Sequence, residues 1–399
     1  MSKNNVVIIS GCRTAIGDFG QSLKPLKAHE LAAHVMKEAL KRASLDGGQL
    51  DDVIFGDCLQ NSDEANTART AMLKAEIPSH VPAVTIQRQC ASGMQSVIFG
   101  ALQIMAGDSE YVLAGGTESM SNAPYVLKNA RWGQRLQHGE MTDAMWELLH
   151  SGSHLLGEGF IMGQTAENLA QKYNISREDQ DQLALESHKK AITAIDSGKF
   201  KDEITPVPVP QRRGEPVIFD TDEHPRRDIT LESLAKLRPA FDKNGTVTAG
   251  SSSGLNDGAA ALVLTSLSKA EESGARPLAR IAGTAVAGCE PHLMGYGPVP
   301  AINKLLEKTG LKLKDIDLFE INEAFAAQYL ACERGLGLDR SIVNVNGSGI
   351  ALGHPVGSTG ARIIVSLIYE MKKRNSKLGI ASLCVGGGMG AAMLLENLQ

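Results

Sequence analysis

The 399-residue sequence has little of what marks several protein classes. Its six cysteines are spread out without a C-x-x-C pair, which fits neither a disulfide scaffold nor a zinc ribbon and predicts a reducing compartment. The net charge of -5 offers no general attraction to nucleic acid or to an anionic membrane. No apolar run approaches the length of a membrane span, and no targeting segment precedes the apolar stretch that begins at Val6. We therefore expect a soluble, cytoplasmic protein.

Aromatic residues are also scarce, at 4 %, whereas hydrophobic residues reach 43 % and glycine occurs 41 times. This composition predicts an aliphatic core and tight turns, and it excludes a disordered chain. Short apolar runs alternate with helical patterns, which is typical of an α/β fold. The runs are 6–9, 53–55 and 111–114, and the helical patterns are 29–43 and 91–106.

The second half of the chain resembles a shifted copy of the first. Cys90 follows Phe55 by 35 positions, and His354 follows Phe319 by the same number. Each of these landmarks stands just before a glycine-containing turn into a helix. Two similar α/β halves in tandem are the economical interpretation, although strands of α/β proteins resemble one another in any case.

A polar, charged and proline-rich segment, 121–246, separates the two halves and reads as an inserted lobe. We place boundaries near 120, 247 and 273. The expected domains are an N-terminal half made of 1–120 plus 247–272, a loop domain at 121–246, and a C-terminal half at 273–399.

Cys90 is the first residue that could carry chemistry. It precedes a helical pattern, and a thiolate is favoured at the positive end of a helix, so Cys90 is a candidate nucleophile. An inert core cysteine is the alternative.

Three further residues stand at strand or helix ends. His354 lies in a rigid glycine-rich turn that can display an imidazole into a cleft, or else is a turn histidine with satisfied hydrogen bonds. Cys384 precedes a glycine cluster whose bare N–H groups could bind an oxyanion. Asn322 ends a strand, where a helix cap is the alternative role.

These segments together resemble the thiolase family over essentially the whole chain. The motifs occur in the family's order: Cys-Ala-Ser-Gly at 90–93, Thr-Ala-Gly-Ser-Ser-Ser-Gly at 248–254, Asn-Glu-Ala-Phe-Ala at 322–326, Gly-His-Pro at 353–355 and Cys-Val-Gly-Gly-Gly-Met-Gly at 384–390. The resemblance implies a duplicated βαβαβαββ core in five layers, α-β-α-β-α, with an inserted loop domain that binds coenzyme A. It also implies a homotetramer, a dimer of dimers.

The resemblance further implies an acetyl-CoA C-acetyltransferase of fatty acid metabolism. In the implied mechanism, His354 takes the thiol proton of Cys90, and Cys90 accepts the acetyl group. Cys384 is then the base that activates a second acetyl-CoA, and a Claisen condensation forms acetoacetyl-CoA and releases CoA. One oxyanion site would combine His354 with a water held by Asn322, and the other the N–H groups of Cys90 and Gly386.

Coenzyme A is expected as substrate and product, with no cofactor and no metal. The resemblance assigns it Ser253 and Arg226, while Ser251, Ser252 and Arg227 stay open as neighbours. The remaining residues expected at the substrate are Met162, Met294, Ala249, Ala324 and Phe325. One departure stands beside them: Ile161 occupies a position where many short-chain thiolases have a histidine.

Three other functions remain open at this point. A broad-range 3-ketoacyl-CoA thiolase of fatty-acid β-oxidation shares all of these motifs. A decarboxylating ketoacyl synthase shares the core and the nucleophile but lacks the second cysteine, Cys384. A non-catalytic thiolase-like protein that binds acyl-CoA or lipid would not need the four site residues that this sequence retains.

Overall fold

A computed structural model describes residues 5–136 and 138–399. Its strands are β1 Val6–Arg13, β2 Gly17–Asp18, β3 Asp52–Gly56, β4 Ala83–Ile86, β5 Tyr111–Ser119, β6 Tyr125–Leu127, β7 Met141–Asp143, β8 Val207–Val209, β9 Val217–Phe219, β10 Asn256–Ser266, β11 Ala279–Gly288, β12 Leu318–Ile321, β13 Leu378–Val385 and β14 Met389–Asn397. Its helices are α1 Ala28–Ala43, α2 Thr67–Lys74, α3 Ser92–Ala106, α4 Ala144–His150, α5 Met162–Lys172, α6 Arg177–Asp196, α7 Leu231–Ala235, α8 Leu267–Ser273, α9 Pro298–Thr309, α10 Ala326–Leu336, α11 Gly349–Leu352 and α12 Val356–Arg374.

The main sheet consists of two halves with the same strand arrangement. The first half runs β4-β3-β5-β10-β1 and the second runs β11-β14-β13-β12, and a short pairing between β1 and β11 joins them. Strands β3 and β12 pair in parallel with β5 and β13, respectively, whereas β10 and β14 pair antiparallel with those two strands. A bridge from Phe319 to Val343 stands in the second half where β4 stands in the first. The predicted duplicated α/β core is confirmed.

Five layers result from how the helices cover these halves. Helices α3 and α12 pack on each other between the two halves of the sheet. Helices α1 and α2 cover the outer face of the first half, and α9 covers that of the second. Aliphatic side chains fill both outer interfaces and the central layer, as the scarcity of aromatic residues predicts.

Glycines allow α3 and α12 to approach closely in the central layer. A Cβ atom on Gly93 would lie 2.8 Å from the Ala361 nitrogen, and one on Gly360 would lie 2.4 Å from the Met94 nitrogen. Side chains larger than hydrogen would therefore force the helices apart. Because Cys90 and His354 precede these two helices, the close approach brings the two candidate residues to the same end of the layer.

The first turn of α12, from Val356, consists of small buried residues that show no amphipathic period. The two halves also differ in their glycines: Gly116 lies inside β5, whereas Gly386 stands in the turn after β13.

Among the described residues, segment 121–246 contributes no strand to the main sheet. It contains the hairpins β6–β7 and β8–β9 and the helices α4 to α7. Helices α5 and α6 pack on the core of the second half. The domain boundaries near 120, 247 and 273 stay predictions. Within the described part of the chain, none of the helices combines the length and the apolar character needed to cross a bilayer.

Candidate active site

One cavity of about 390 Å³ brings most of the predicted site residues together. Its size falls in the range of small-molecule pockets, and its wall is mainly apolar with a few polar groups. Ten of the residues expected at the site line it: Cys90, Met162, Arg226, Ala249, Ser253, Met294, Ala324, Phe325, His354 and Cys384. The two others, Asn322 and Gly386, are buried and are not among the residues that line it.

Cys90 lies at the start of α3, in a turn with unusual backbone geometry. The preceding Gln89 has a φ of 45°, in the left-handed region that non-glycine residues rarely adopt. The Ser92 hydroxyl supports this turn by donating to the Gln89 carbonyl at 2.7 Å and accepting from the Arg88 N–H at 2.8 Å. The turn therefore holds the Cys90 thiol at the cavity, where it is partly exposed.

The protonation state of Cys90 differs from the expectation that the helix favours a thiolate. Desolvation raises the pKa of the thiol to about 11, and the backbone N–H groups of Gly386 and Cys90 itself offset this rise only in part. Burial thus outweighs the helix terminus, and the resting group is a neutral thiol. Attack on a carbonyl then requires a base that removes the proton as the bond forms.

His354 has the tautomer that such a base needs. Its Nδ1 lies 2.7 Å from the Thr359 hydroxyl oxygen, and that hydroxyl donates its own hydrogen to the Pro355 carbonyl at 2.9 Å. With the Thr359 hydrogen directed at Pro355, we assign the Thr359 oxygen as the acceptor of Nδ1–H, and this tautomer leaves Nε2 with a lone pair. Nε2 is buried and has no hydrogen-bond partner among the described residues. Burial, with a smaller effect of Arg362, lowers the pKa of His354 to about 3, so the imidazole is neutral at physiological pH.

Asn322 and Cys384 lie at the carboxyl ends of two parallel strands. Ile321 of β12 is in register with Ser382 of β13, which places Asn322 beside the last residues of β13. Both polar atoms of the buried Asn322 amide lack a partner among the described residues, and Phe325 rather than Asn322 precedes α10 as its cap residue. The helix-cap alternative for Asn322 is therefore wrong, and its amide is free to bind a polar group.

Cys384 is fully buried from solvent, and it lines the cavity. Desolvation, with the nearby Cys90 as the next cause, raises the pKa of its thiol well above the usual value. A thiolate formed here would be poorly solvated and strongly basic, which suits a group that removes a proton from carbon.

Gly386 lies in the turn that follows Cys384. A Cβ atom at Gly386 would lie 2.4 Å from the Ser151 hydroxyl and 2.6 Å from the Met162 methyl carbon. A side chain at Gly386 would have to displace both of these groups. The backbone N–H groups of Gly386 and Cys90 lower the pKa of the Cys90 thiol, so both donors are directed at the nucleophile.

Comparison with known proteins assigns this arrangement to a family. The model of the thiolase N-terminal domain matches residues 6–268, and that of the thiolase C-terminal domain matches residues 275–397. The chain belongs to the thiolase family.

Individual relatives extend over the whole length of this thiolase. The acetyl-CoA acetyltransferase of Pseudomonas aeruginosa is 51% identical over 393 residues, which cover 98% of this chain and 99% of that protein. The crystal structure of the Bacillus anthracis acetyl-CoA acetyltransferase has a TM-score of 0.96, with 58% identity and 99% coverage of both chains. Human mitochondrial 3-ketoacyl-CoA thiolase in complex with CoA has a TM-score of 0.94 and 44% identity, covering 99% of this chain and 98% of that one.

The geometry separates the adjacent arginines that the sequence of this thiolase left open. Arg226 lines the cavity and also a smaller adjoining cavity of about 190 Å³. Arg227 lines neither cavity and forms a bidentate ion pair with Asp196 at the surface. Arg226 is thus the one available to a ligand.

The three adjacent serines also divide. Ser251 and Ser252 use their hydroxyls within the segment, because each bonds to Thr248. Ser253 is fixed through its backbone N–H, which donates to the Ala324 carbonyl at 2.9 Å, and it lines the cavity. Its hydroxyl has no partner among the described residues, so it is available to a ligand.

Several residues of the cavity were missed in the sequence. They are Gln89, Met120, Leu148, Leu149, Gly163, His224, Ala240, Phe241, Gly254, Leu255 and Val356. Ile161 and Ser252, both noted in the sequence, line the cavity as well. Many of the missed residues come from segment 121–246, where an apolar residue of the wall looks like any core residue. His224 differs from these apolar residues because it is ionisable: its Nδ1 pairs with Asp18, and its ring lines both the main cavity and the smaller adjoining one.

Proposed function

We propose that this thiolase is an acetyl-CoA C-acetyltransferase, which condenses two acetyl-CoA reversibly to acetoacetyl-CoA and CoA. The observation that carries the proposal is the meeting of Cys90, His354 and Cys384 in one cavity, with a neutral imidazole whose Nε2 is unpaired. Relatives named acetyl-CoA acetyltransferase over the full length support the short-chain substrate.

In the first half-reaction, His354 Nε2 takes the proton of the Cys90 thiol as the sulphur attacks the carbonyl carbon of acetyl-CoA. The bond between that carbon and the CoA sulphur then breaks, and the departing thiolate takes the proton from His354. The products are acetyl-Cys90 and free CoA. The oxygen of the tetrahedral intermediate carries a negative charge, which the N–H groups of Cys90 and Gly386 can stabilise.

In the second half-reaction, His354 Nε2 takes the proton of the Cys384 thiol, and the Cys384 thiolate removes a proton from the methyl group of a second acetyl-CoA. The resulting enolate carbon attacks the carbonyl of acetyl-Cys90, the bond to the Cys90 sulphur breaks, and the released Cys90 thiolate takes the proton from His354. Acetoacetyl-CoA leaves. We assign the enolate oxygen to His354 Nε2, in its protonated form, and to a water held by the Asn322 amide. The same steps in reverse give thiolysis.

The CoA part of the substrate would extend from the cavity to the surface. Ser253 offers a hydroxyl to the pantetheine arm, and the exposed Arg226 offers a guanidinium to the phosphates. Met162 and Met294 lie near the reacting centre and would contact the acyl group. Ile161 makes this stretch of wall apolar, which removes a hydrogen bond to the arm. We propose no cofactor, because every proton and leaving group in the scheme is carried by the chain or by CoA.

The decisive experiment is intact-protein mass after mixing with acetyl-CoA, with peptide mapping. We expect an acetyl adduct on Cys90 in the wild type and none in Cys90→Ala. Turnover of acetoacetyl-CoA and of a long-chain 3-ketoacyl-CoA with CoA then decides the substrate class. Better use of the long chain would replace the proposal by a broad-range 3-ketoacyl-CoA thiolase, and no adduct would indicate a binding protein.

We further propose a cytoplasmic homotetramer that acts in fatty acid metabolism. Two exposed apolar surfaces support the assembly. Strand β4 is an open edge of the sheet with Val84 exposed, and α3, which packs against β4, exposes Phe99 and Leu102. The hairpin β6–β7 exposes a second surface, including Tyr125 and Met141. Light scattering should give four chains, and Val84→Lys should lower that number, whereas an unchanged mass would exclude the β4 edge.

A further inference from the structure

The carboxyl group of Glu118 lies between the segments that carry the two reacting groups of the first half-reaction. Glu118 is at the end of β5 and is completely buried. It accepts three backbone hydrogen bonds, from Gly357 at 2.8 Å, Leu59 at 3.1 Å and Cys58 at 3.3 Å. None of these contacts reaches the cavity, so the proposed reaction makes no direct use of Glu118.

The first bond fixes the segment that carries His354. Gly357 belongs to the first turn of α12, three residues after His354, and its N–H has no partner within the helix at that position. The turn has little room to shift, because a Cβ atom on Gly357 would lie 2.4 Å from the Thr117 carbonyl oxygen.

The other two bonds fix the side of the nucleophile. Cys58 and Leu59 follow β3, and the Cys58 thiol donates to the Gln89 carbonyl at 3.2 Å. Gln89 is the left-handed residue directly before Cys90. A single carboxyl group thus connects the turn before α3, which belongs to one half of the fold, with the start of α12, which belongs to the other.

The neighbouring Asp57 affects the protonation state of Glu118. Its Oδ2 accepts the Thr67 hydroxyl at 2.5 Å, and its side chain neighbours that of Glu118. Burial raises the pKa of both carboxyls, that of Asp57 to about 6 and that of Glu118 well above its usual value. The neighbouring Asp57 raises the pKa of Glu118 further, whereas the hydrogen bond with Glu118 lowers that of Asp57. The pair therefore retains a proton near neutral pH, so that the desolvation of two adjacent charges is avoided.

We propose that Glu118 is a positioning residue that sets the separation between the His354 imidazole and the Cys90 thiol. It acts through His354, and its effect lies on the proton transfer rather than on the binding of acetyl-CoA. The inference rests on the proposed function for the identity of the substrate. Its test does not, because the rate at which iodoacetamide alkylates Cys90 also depends on the neighbouring base.

The test is Glu118→Gln, alone and combined with His354→Ala. An amide keeps one acceptor oxygen and replaces the other by a donor, so at least one of the backbone bonds is lost. We expect the kcat for acetoacetyl-CoA thiolysis to fall at least tenfold, with KM changed less than threefold. The alkylation rate of Cys90 at pH 7.5 should fall in parallel. In the His354→Ala background, Glu118→Gln should change both rates less than twofold.

Equal losses in the two backgrounds would overturn the proposal, because Glu118 would then not act through His354. A lower melting temperature with unchanged kcat and alkylation rate would do the same, since it indicates a structural role alone. If only the thiolysis assay fails in the wild type while the alkylation pattern holds, the proposed function is wrong and the positioning role stands.

Two controls complete the design. Thr67→Val removes the hydroxyl that bonds to Asp57 but leaves the three backbone bonds of Glu118, and we expect its kcat within twofold of the wild type. If Glu118→Gln does not fold, Glu118→Asp and amide exchange of the wild type replace it. The Gly357 N–H should then be among the slowly exchanging amides, and exchange at the rate of an unstructured peptide would overturn the proposal.

Discussion

Replacement of Thr359 by valine should change the tautomer of His354 and leave the other properties of the site unaltered. The Thr359 hydroxyl is the acceptor for His354 Nδ1–H, and its hydrogen is used by the Pro355 carbonyl. Thr359 is completely buried, and valine has nearly the same shape. The substitution therefore removes two hydrogen bonds without opening a large cavity.

The magnitude follows from the buried N–H that remains. A buried donor left without a partner costs about 1–3 kcal/mol. The imidazole avoids this cost by moving its hydrogen from Nδ1 to Nε2, but that tautomer cannot accept the proton of Cys90. The active form becomes the minor one by about the same 1–3 kcal/mol, and about 1.4 kcal/mol corresponds to a factor of ten. We expect the acetylation of Cys90 to slow by roughly 5- to 150-fold.

Rapid-quench mass measurement of acetyl-Cys90 at saturating acetyl-CoA is the appropriate assay, because it reports the first half-reaction alone. Thr359→Ser is the matched control, since it keeps the hydroxyl, and it should acetylate within about threefold of the wild type. The reasoning is refuted if Thr359→Val acetylates at the wild-type rate, or if the serine variant loses as much as the valine variant.

Three further predictions concern single groups of the site. Cys384→Ala should still form acetyl-Cys90 but should lose condensation by several orders of magnitude, and condensation at the wild-type rate would exclude Cys384 as the base. Arg226→Ala should raise the KM for acetyl-CoA roughly 3- to 10-fold, because an exposed charge contact contributes about 1 kcal/mol, whereas Arg227→Ala should not change it; equal effects would contradict the assignment. In His354→Ala, which lacks the base that assists alkylation, the rate of Cys90 alkylation should rise with pH from 7 to 9 without a plateau, because the pKa of the thiol is raised to about 11 and only the thiolate reacts. A plateau near pH 7 would contradict the raised pKa.

Much of the fold could be predicted because the chain repeats a local pattern. Cys90 and His354 stand at equal distances after Phe55 and Phe319, and the structure places these phenylalanines on the equivalent strands β3 and β12. The start of α12 could not be predicted from the hydrophobic periodicity of the sequence. Its first turns are buried on all sides and therefore have no polar face to reveal a helical period.

The residues of the site also differ in whether the local sequence identifies them. Residues in short motifs, such as Ser253 and Met294, could be named because their neighbours in the sequence identify them. Leu148, Leu149 and Phe241 could not, since an apolar side chain of a cavity wall has no local mark that separates it from the core. Glu118 was missed for another reason: its three partners lie 60, 59 and 239 positions away along the chain.

The amino-acid sequence by itself determined the α/β class, the duplicated halves, the order of the reactive residues and the turns that hold them. These follow from local composition and spacing. Only the tertiary structure decided the protonation states, because the neutral thiol of Cys90 and the low pKa of His354 arise from desolvation by segments distant in sequence. It also decided that Arg226 rather than Arg227 meets the cavity, since identical neighbours are distinguished only by what packs around them.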